Sequence, residues 1–294
     1  MSRVLLFGGD GMLGRHLYQA LKESHDLCVT LHGSAARYPE RLFADVRVEF
    51  EVAAGDTPRV VDVLEGFRPD WVVNAVGLVK RDLANDRVAS LEANTVFPHV
   101  MAELCSEHHA KLLHFSTDCV YSGRKGMYKE TDQPDCDDWH GRCKALGEPA
   151  GEHVLVLRTS FIGLELACKR SLIEWFLAQR GEVPGYRKAI WSGLTAIEVG
   201  RLVSMLIRRE ESLAGLWHVA TPPISKFDLL TALNARLGER GVSVVPDDGF
   251  VCDRSLDGSA FSRRTGYVPP SWNLMLDELA EDIRDRWAPN APSC

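Results

Sequence analysis

The sequence predicts an α/β fold, a doubly wound parallel sheet with a smaller C-terminal domain. Short apolar runs alternate with segments of helical period through the first 160 or so residues, a glycine-rich turn follows the first run, and the alternation loosens beyond. The run at 4–7 (Val-Leu-Leu-Phe) is too brief for a helix and ends in glycines, so it reads as a buried parallel strand. Behind the glycines, Leu13, Leu17, Ala20 and Leu21 recur at helical spacing, which makes the unit strand, turn, helix. Further strands are expected at 27–31, 71–76, 111–115 and 154–157, the second of these preceded by a helix over 62–67 that stops at Arg68-Pro69-Asp70. With the intervening third strand unassigned, the runs at 71–76, 111–115 and 154–157 count as the fourth, fifth and sixth.

Past residue 160 the order is less regular. Helices are expected near 171–179, 196–208, 225–237 and 274–287, with a Gly/Pro segment at 181–185 and a strand at 216–220. The expected division is a Rossmann-like dinucleotide domain over 1–160, a mainly substrate-binding domain over 161–287 from which some segments return to the first, and a tail at 288–294.

Composition excludes several classes. The chain has 294 residues, 45% hydrophobic and 26% charged, and a formal net charge of −7 from 34 Lys and Arg against 41 Asp and Glu. There is no basic stripe of the sort nucleic acid requires. The longest apolar run, 71–79, is broken by Asn74 and is about half a bilayer span. The first residues run straight into the glycine turn without a signal-peptide pattern, so a cytoplasmic protein is expected. Its eight cysteines lack a CxxC pair and read as reduced thiols. Cys136, His140 and Cys143, with Asp135, Asp137 or Asp138, have the makings of a zinc set. That segment has a better assignment below, and no metal is expected.

Gly8, Gly11 and Gly14 form G-x-x-G-x-x-G at the first strand-to-helix junction. Glycine is needed there for a tight turn and for close approach of backbone to a pyrophosphate, whose charge sits at the helix N-terminus. An NAD-preferring site usually carries a carboxylate at the end of the second strand. Here the residues are Leu31-His32-Gly33-Ser34-Ala35-Ala36-Arg37, in which Ser34 and Arg37 suit a 2′-phosphate, with Arg15 near the turn. NADPH is the expected cofactor, and NADH the alternative.

Three segments carry chemistry: Asn74-Ala75-Val76-Gly77 after the fourth strand, Phe115-Ser116-Thr117-Asp118-Cys119-Val120-Tyr121 closing the fifth, and His140-Gly141-Arg142-Cys143-Lys144-Ala145-Leu146-Gly147-Glu148 opening a helix. With Arg68-Pro69-Asp70, Tyr128-Lys129-Glu130-Thr131-Asp132 and Arg158-Thr159-Ser160, they resemble the extended short-chain dehydrogenase/reductase superfamily, and within it the dTDP-4-dehydrorhamnose reductases, over almost the whole length. The resemblance implies cofactor contacts from Gly8, Asp10, Gly11, Met12, Leu13, Gly14, Ser34, Arg37, Asp45, Asn74, Ala75, Val76 and Lys144. It implies that Thr117 hydrogen-bonds the reacting carbonyl and that Lys144 binds the nicotinamide ribose.

The family's proton-donating Tyr, four residues before the Lys, is replaced by His140. An imidazole with a reference pKa near 6.5 is an acid at neutral pH, weakened by a neighbouring Lys144; a binding role is the alternative. Tyr18 and Lys22 have the same spacing but belong to the helix behind the glycine turn. Tyr121 and Tyr128 are nearer proton sources. The family's dehydratases follow the Thr with Asp-Glu, which Asp118-Cys119 does not match; its epimerases use the Tyr as base, so with His140 a nucleotide-sugar 4-epimerase stands as an alternative behind carbonyl reduction.

The reaction implied is NADPH-dependent reduction of the 4-keto group of a nucleotide-activated 6-deoxy sugar, serving surface polysaccharide synthesis. The rival is a regulatory protein that binds dinucleotide or nucleotide sugar without turnover. Expected substrate contacts are Lys80, Thr117, Asp118 and Ser160, with Arg81 and Thr159 as neighbours. Trp175, Trp191, Trp217 and Trp272, the turn Gly185-Tyr186-Arg187-Lys188, and Arg254, Arg263 and Arg264 are unranked candidates for the nucleotide. The expected partners are a nucleotide sugar and a second copy in a homodimer, with neither nucleic acid nor membrane.

Overall fold

The computed structural model describes residues 1–39, 42–78, 86–166, 169–209 and 213–287. Its centre is a seven-stranded parallel sheet of β1 (Arg3–Phe7), β2 (Asp26–Thr30), β3 (Arg47–Glu49), β4 (Trp71–Asn74), β5 (Lys111–Thr117), β6 (Val154–Thr159) and β7 (Gly215–His218), in the order β7-β6-β5-β4-β1-β2-β3. From β1 the winding runs one way to β3; from β4 it runs the other way to β7. The loops after β1 and β4 therefore diverge at the carboxyl edge, where such sheets take their ligands.

The strands are apolar on both sides because both faces are covered. Val4 and Leu6 join a core with Leu13 and Leu17 of α1 (Met12–Leu21), while Leu5 and Phe7 join one with Val60, Val63 and Leu64 of α2 (Thr57–Phe67) and Met101 and Cys105 of α3 (Phe97–Glu107). Period-2 alternation thus assigns each strand residue to one helix layer. Helix α2 starts where the Asp56 carboxylate accepts from the Arg59 amide, with Pro58 in its first turn, and stops at Arg68 in the left-handed region (φ 50°), one residue before Pro69. The helix α4 (Trp139–Leu146), which bears His140 and Lys144, is capped by Asp138, whose Oδ1 accepts from the Gly141 amide at 2.9 Å.

The boundary at residue 160 is not a clean division. Helix α5 (Ala196–Arg208) packs on the α1 side through Val199, Leu202, Val203 and Leu206, and β7 is the edge strand of the main sheet. Gly200 permits the approach: a Cβ there would lie 2.9 Å from the Ala20 Cβ and from the His16 carbonyl. The remainder forms a second core in which Ile173 and Phe176 of the helix Leu172–Ala178, Leu229, Leu230 and Leu233 of α6 (Lys226–Leu237), and Leu276, Leu279 and Ile283 of α7 (Trp272–Trp287) close over the strand pair Gly181–Tyr186 and Val242–Asp247. No helix among the described residues is long and apolar enough to cross a membrane.

Candidate active site

The glycine turn is shaped by its own backbone. Gly8 has φ +83°, a conformation open to glycine, and a Cβ on it would press within 3.1 Å of the Val76 amide nitrogen in the loop after β4. On Gly14 a Cβ would lie 2.0 Å from the Gly8 carbonyl oxygen, and on Gly9 it would lie 2.1 Å from Val29 Cγ1. The fold itself demands these three. Gly11 is different: its backbone is extended (φ −75°), and the nearest atom to an added Cβ is 3.5 Å away, an ordinary contact. No described residue requires glycine there. It is the N-cap of α1, and no described side chain caps that helix, which leaves the amides of its first turn, beginning with Met12 and Leu13, without a capping side chain. A cradle that a side chain would fill, beside the positive end of a helix, fits a pyrophosphate.

Around this turn the expected cofactor residues separate into groups. Asn74 is buried and shapes the loop after β4: its Oδ1 accepts from the Val76 amide at 3.0 Å, and Ala75 donates to the Phe7 carbonyl, so the β1 and β4 loops are tied together. The Asn74 amide group lies 3.1 Å from His114 Nδ1, on an imidazole whose pKa burial holds well below its usual value. Asp10 accepts from the Tyr38 hydroxyl at 2.5 Å, and that hydroxyl accepts from the Gly33 amide at 3.0 Å, which joins the glycine turn to the loop after β2. In that loop Ser34 precedes the short turn Ala35–Arg37, and Arg37 is exposed. Asp45 is a correction. It precedes β3, which begins at the amino end of the sheet (Arg47 opposite Cys28), and its carboxylate takes the Lys22 ammonium at 3.0 Å. The chain crosses back under the sheet before β3 starts, so this carboxylate lies at the opposite edge from the glycines. Arg15 lies 3.8 Å from Asp282 of α7.

The turn after β5 is built by distant parts of the chain. Thr117 accepts the Cys119 amide on its Oγ1 at 3.1 Å and donates to Asp118 Oδ1 at 3.1 Å. Helix α4 lies against this turn because residue 141 is glycine; a Cβ there would be 2.1 Å from the Cys119 carbonyl oxygen. That packing brings Lys144 inside, 6% exposed, where its Nζ donates to the Phe115 carbonyl at 2.6 Å. Burial pulls the Lys144 pKa down to about 8, against a raising influence from Glu148. His140 stands one turn earlier on the same helix and is half-buried. Asp118 is 5% exposed; burial raises its pKa, opposed by the guanidinium of Arg254.

Tyr121 and Tyr128 are not placed as proton donors to a ligand. Their rings stack at 4.1 Å in the interior. The Tyr121 hydroxyl donates to the Lys129 carbonyl and accepts from Arg158 at 2.6 Å, and burial pushes its pKa up to about 12. The Tyr128 hydroxyl accepts from the Gly123 and Lys125 amides. Arg158 also makes a buried two-point bond to Glu148 (2.7 and 2.6 Å), and Glu148 accepts from Ser116 at 2.5 Å. This interior network holds the floor of the site. Tyr18 packs on Phe43 at 4.8 Å.

Of the expected substrate residues, Lys80, with Arg81, lies outside the described residues. Ser160 is half-buried at the carboxyl end of β6 and accepts the Leu194 amide on its carbonyl at 2.9 Å; Thr159 is buried. Trp175 and Tyr186 line a cleft of about 210 Å³ with Lys226 and Arg170. Trp191 and Trp272 pair at 5.3 Å, and Trp217 packs against Phe261. Arg187 is bound by Asp248, and Arg264 lies with Trp71 and Leu155 at the amino edge. Among the described residues no group of three or more His, Cys, Asp or Glu is arranged to hold a metal.

One feature escaped the sequence reading, and one candidate that it left unranked finds a place. Asn94 is wholly buried and holds Leu78 by both backbone groups, amide to Oδ1 at 3.0 Å and Nδ2 to carbonyl at 2.9 Å, which fixes the loop after β4. It sits where the helix widens into a π turn, Glu92–Val96. Arg254, one of several unranked arginines in the sequence, reaches the turn after β5: its Nη1 is 3.3 Å from Cys119 Sγ and its Nη2 3.5 Å from Asp138 Oδ2.

Comparison with known proteins gives a family and a fold. The family model described as RmlD substrate binding domain matches residues 2–168. A dTDP-4-dehydrorhamnose reductase of Aggregatibacter actinomycetemcomitans is 29% identical over 253 residues, 79% of this chain and 78% of that protein. The probable low-salt glycan biosynthesis reductase Agl14 of Haloferax volcanii is 31% identical over 163 residues, and the match spans about half of each, 53% of this chain and 52% of that protein. Among solved structures, the dTDP-4-dehydrorhamnose reductase of Bacillus anthracis in complex with NADP superposes with a TM-score of 0.77 at 22% identity, over 96% of this chain and 99% of that one.

Proposed function

The chain belongs to the RmlD substrate binding domain family, of the extended short-chain dehydrogenase/reductase type, and from that premise we propose that it reduces the 4-keto group of a nucleotide-activated 6-deoxy sugar with NADPH. The observation that supports the reading is that two turns lie at the carboxyl edge of one sheet: the glycine turn after β1, where an added Cβ on Gly11 would meet only an ordinary contact, and the turn after β5 with Thr117, whose strand carbonyl at Phe115 accepts from Lys144.

In this reading the first turn of α1 binds the pyrophosphate, and Ser34 and Arg37 meet an adenosine 2′-phosphate. NADPH, when bound, supplies the hydride. The Lys144 ammonium, anchored on the Phe115 carbonyl, retains two N–H donors for the ribose hydroxyls. The Thr117 hydroxyl orients the ketone oxygen, and His140 lines the same mouth one helical turn from Lys144. The cleft at Trp175, Tyr186 and Lys226 offers an aromatic wall and a cation to the nucleotide, and Ser160 lies near the sugar. Exposed Val88, Val96 and Leu146, on the helices around α3 and α4, are the surface assigned to a second copy in a homodimer. A biosynthetic role in surface polysaccharide and a cytoplasmic location accompany the reading.

The test is NADPH oxidation, followed by absorbance, with a dTDP-4-keto-6-deoxy sugar, and with NADH in parallel. Repeated turnover favouring NADPH is expected. Tight cofactor binding with no turnover of any keto-sugar nucleotide would favour the regulatory reading, and a clear preference for NADH would remove the 2′-phosphate assignment.

A further inference from the structure

Thr117 has one proton and two lone pairs to distribute. One lone pair is taken by the Cys119 amide at 3.1 Å, and Asp118 Oδ1 lies 3.1 Å from the same oxygen. With Asp118 ionised, the hydroxyl proton must point at the carboxylate, and the free lone pair then faces the ketone oxygen, acceptor against acceptor. With Asp118 protonated, the carboxyl donates to that lone pair and the hydroxyl proton is released toward the ketone.

We propose that Asp118 is the proton store of this site, a positioning residue that sets the direction of the Thr117 hydroxyl and resupplies its proton. The inference rests on the reductase reading above. As the ketone carbon gains a hydride, the carbonyl π pair becomes a lone pair on oxygen and takes the Thr117 proton. Thr117 takes the proton of Asp118. The sugar leaves as the alcohol, Asp118 is left as a carboxylate beside Arg254, and water reprotonates it before the next cycle. Atoms and charge balance with one hydride and one proton consumed. This relay supplies what the chain lacks at residue 140, where a histidine stands on the helix that also carries Lys144.

Asp118 is 5% exposed, and burial favours its neutral form. The groups facing it are few. Arg254 approaches from the segment around the strand Cys252–Asp253 and favours the carboxylate, Cys119 shares its turn, and Asp138 at the cap of α4 shares Arg254. His140 and Lys144 follow on α4. Arg254 thereby stabilises the product state of the relay from a distant part of the chain, 135 positions beyond the Cys119 that it touches.

The experiment titrates the Asp118 carboxyl in the NADPH-bound protein by difference infrared spectroscopy against Asp118→Asn, and measures the pH dependence of the first turnover in parallel. The expected midpoint lies above the ordinary carboxylate range, and the first-turnover rate falls as pH rises through that same midpoint. Asp118→Asn is expected to bind NADPH as before, to lose about tenfold or more in rate at acid pH, and to lose that pH limb. Thr117→Val removes a donor to the carboxylate, so the infrared midpoint moves upward, a readout that needs no turnover. His140→Gln keeps the limb. A carboxyl titrating in the ordinary range overturns the proposal, as does a limb that survives in Asp118→Asn or vanishes in His140→Gln. An elevated midpoint that responds to Thr117→Val, in a protein that turns over no keto-sugar nucleotide, sustains the Thr117–Asp118 coupling and overturns the substrate reading instead.

Discussion

The turn after β1 and the turn after β5 lie at the same edge of one sheet, yet they are held in different ways. The glycine turn is held by main chain: Gly14 against the Gly8 carbonyl, and Gly8 against the Val76 amide. The catalytic turn is held by side chains, with Arg254 at Cys119, Lys144 at Phe115, and Arg158 tied to Glu148 behind it. In a turn of the first kind the positions that backbone crowds, Gly8 and Gly14, admit no side chain, whatever residue stands at Gly11. One of the second kind depends on side chains brought in from elsewhere, and Arg254 comes from more than a hundred positions along the chain.

The largest effect should come from the main-chain side. Gly14→Ala places a Cβ 2.0 Å from backbone, which cannot yield as a flexible side chain does, so loss of both the cooperative fold and cofactor binding is expected, by thermal melt and fluorescence titration. Gly11→Val sharpens the contrast: the melt stays near that of the native protein while NADPH affinity drops, because only the ligand's space is filled. Equal damage from both variants would mean that Gly11 too is structural.

On the catalytic side, Thr117→Val should lower the rate by about 10²-fold with little change in NADPH affinity, within the range for losing a positioned hydrogen-bond donor. Lys144 offers a trade between stability and activity. Its pKa falls from 10.5 unfolded to about 8 folded, so between those values the unfolded chain binds more protons and stability rises with pH. Below pH 8 the folded state carries the full cost of the buried charge, on the order of 3–4 kcal/mol from the linkage relation. Lys144→Met should therefore be inactive yet no less stable at pH 7, with a denaturation midpoint that no longer climbs from pH 8 to 10.5. In the native protein, NADPH affinity should weaken above about pH 8 as the ammonium is lost. The smallest effect is expected at Arg37→Ala, which removes about 1 kcal/mol of discrimination between NADPH and NADH, the scale of one exposed ion pair; an unchanged ratio would place the 2′-phosphate elsewhere.

The same contrast explains what could be read from sequence. The apolar runs predicted β1, β2, β4, β5 and β6 because a strand covered on both faces has a compositional signature. The three-residue β3 has none, and with it went the position of Asp45, assigned to the cofactor edge when the chain actually crosses beneath the sheet. Helix α5 was legible as a helix, but nothing in its amphipathic face says which layer it covers; the clue is Gly200, small enough for α1 to approach. At the site, the glycine turn could be read locally. The turn after β5 could be read only through resemblance; the choice of Arg254 among several arginines as its support, and the hold of Asn94 on the loop after β4, came from tertiary contact. Tyr121 and Tyr128 lay close in sequence to the site and belong to the interior beneath it, since closeness along an irregular loop says nothing of which way a ring turns.

The central claim, that both turns serve one transfer from cofactor to sugar, is tested most directly by isotope transfer. The protein is incubated with NADPH carrying deuterium at both positions of the nicotinamide C4 and a dTDP-4-keto-6-deoxy sugar, and the product is read by NMR and mass spectrometry. One deuterium on the sugar C4 for each NADPH consumed is the predicted result, and a product in which that carbon carries only hydrogen, or NADPH that binds and is never consumed, would contradict it.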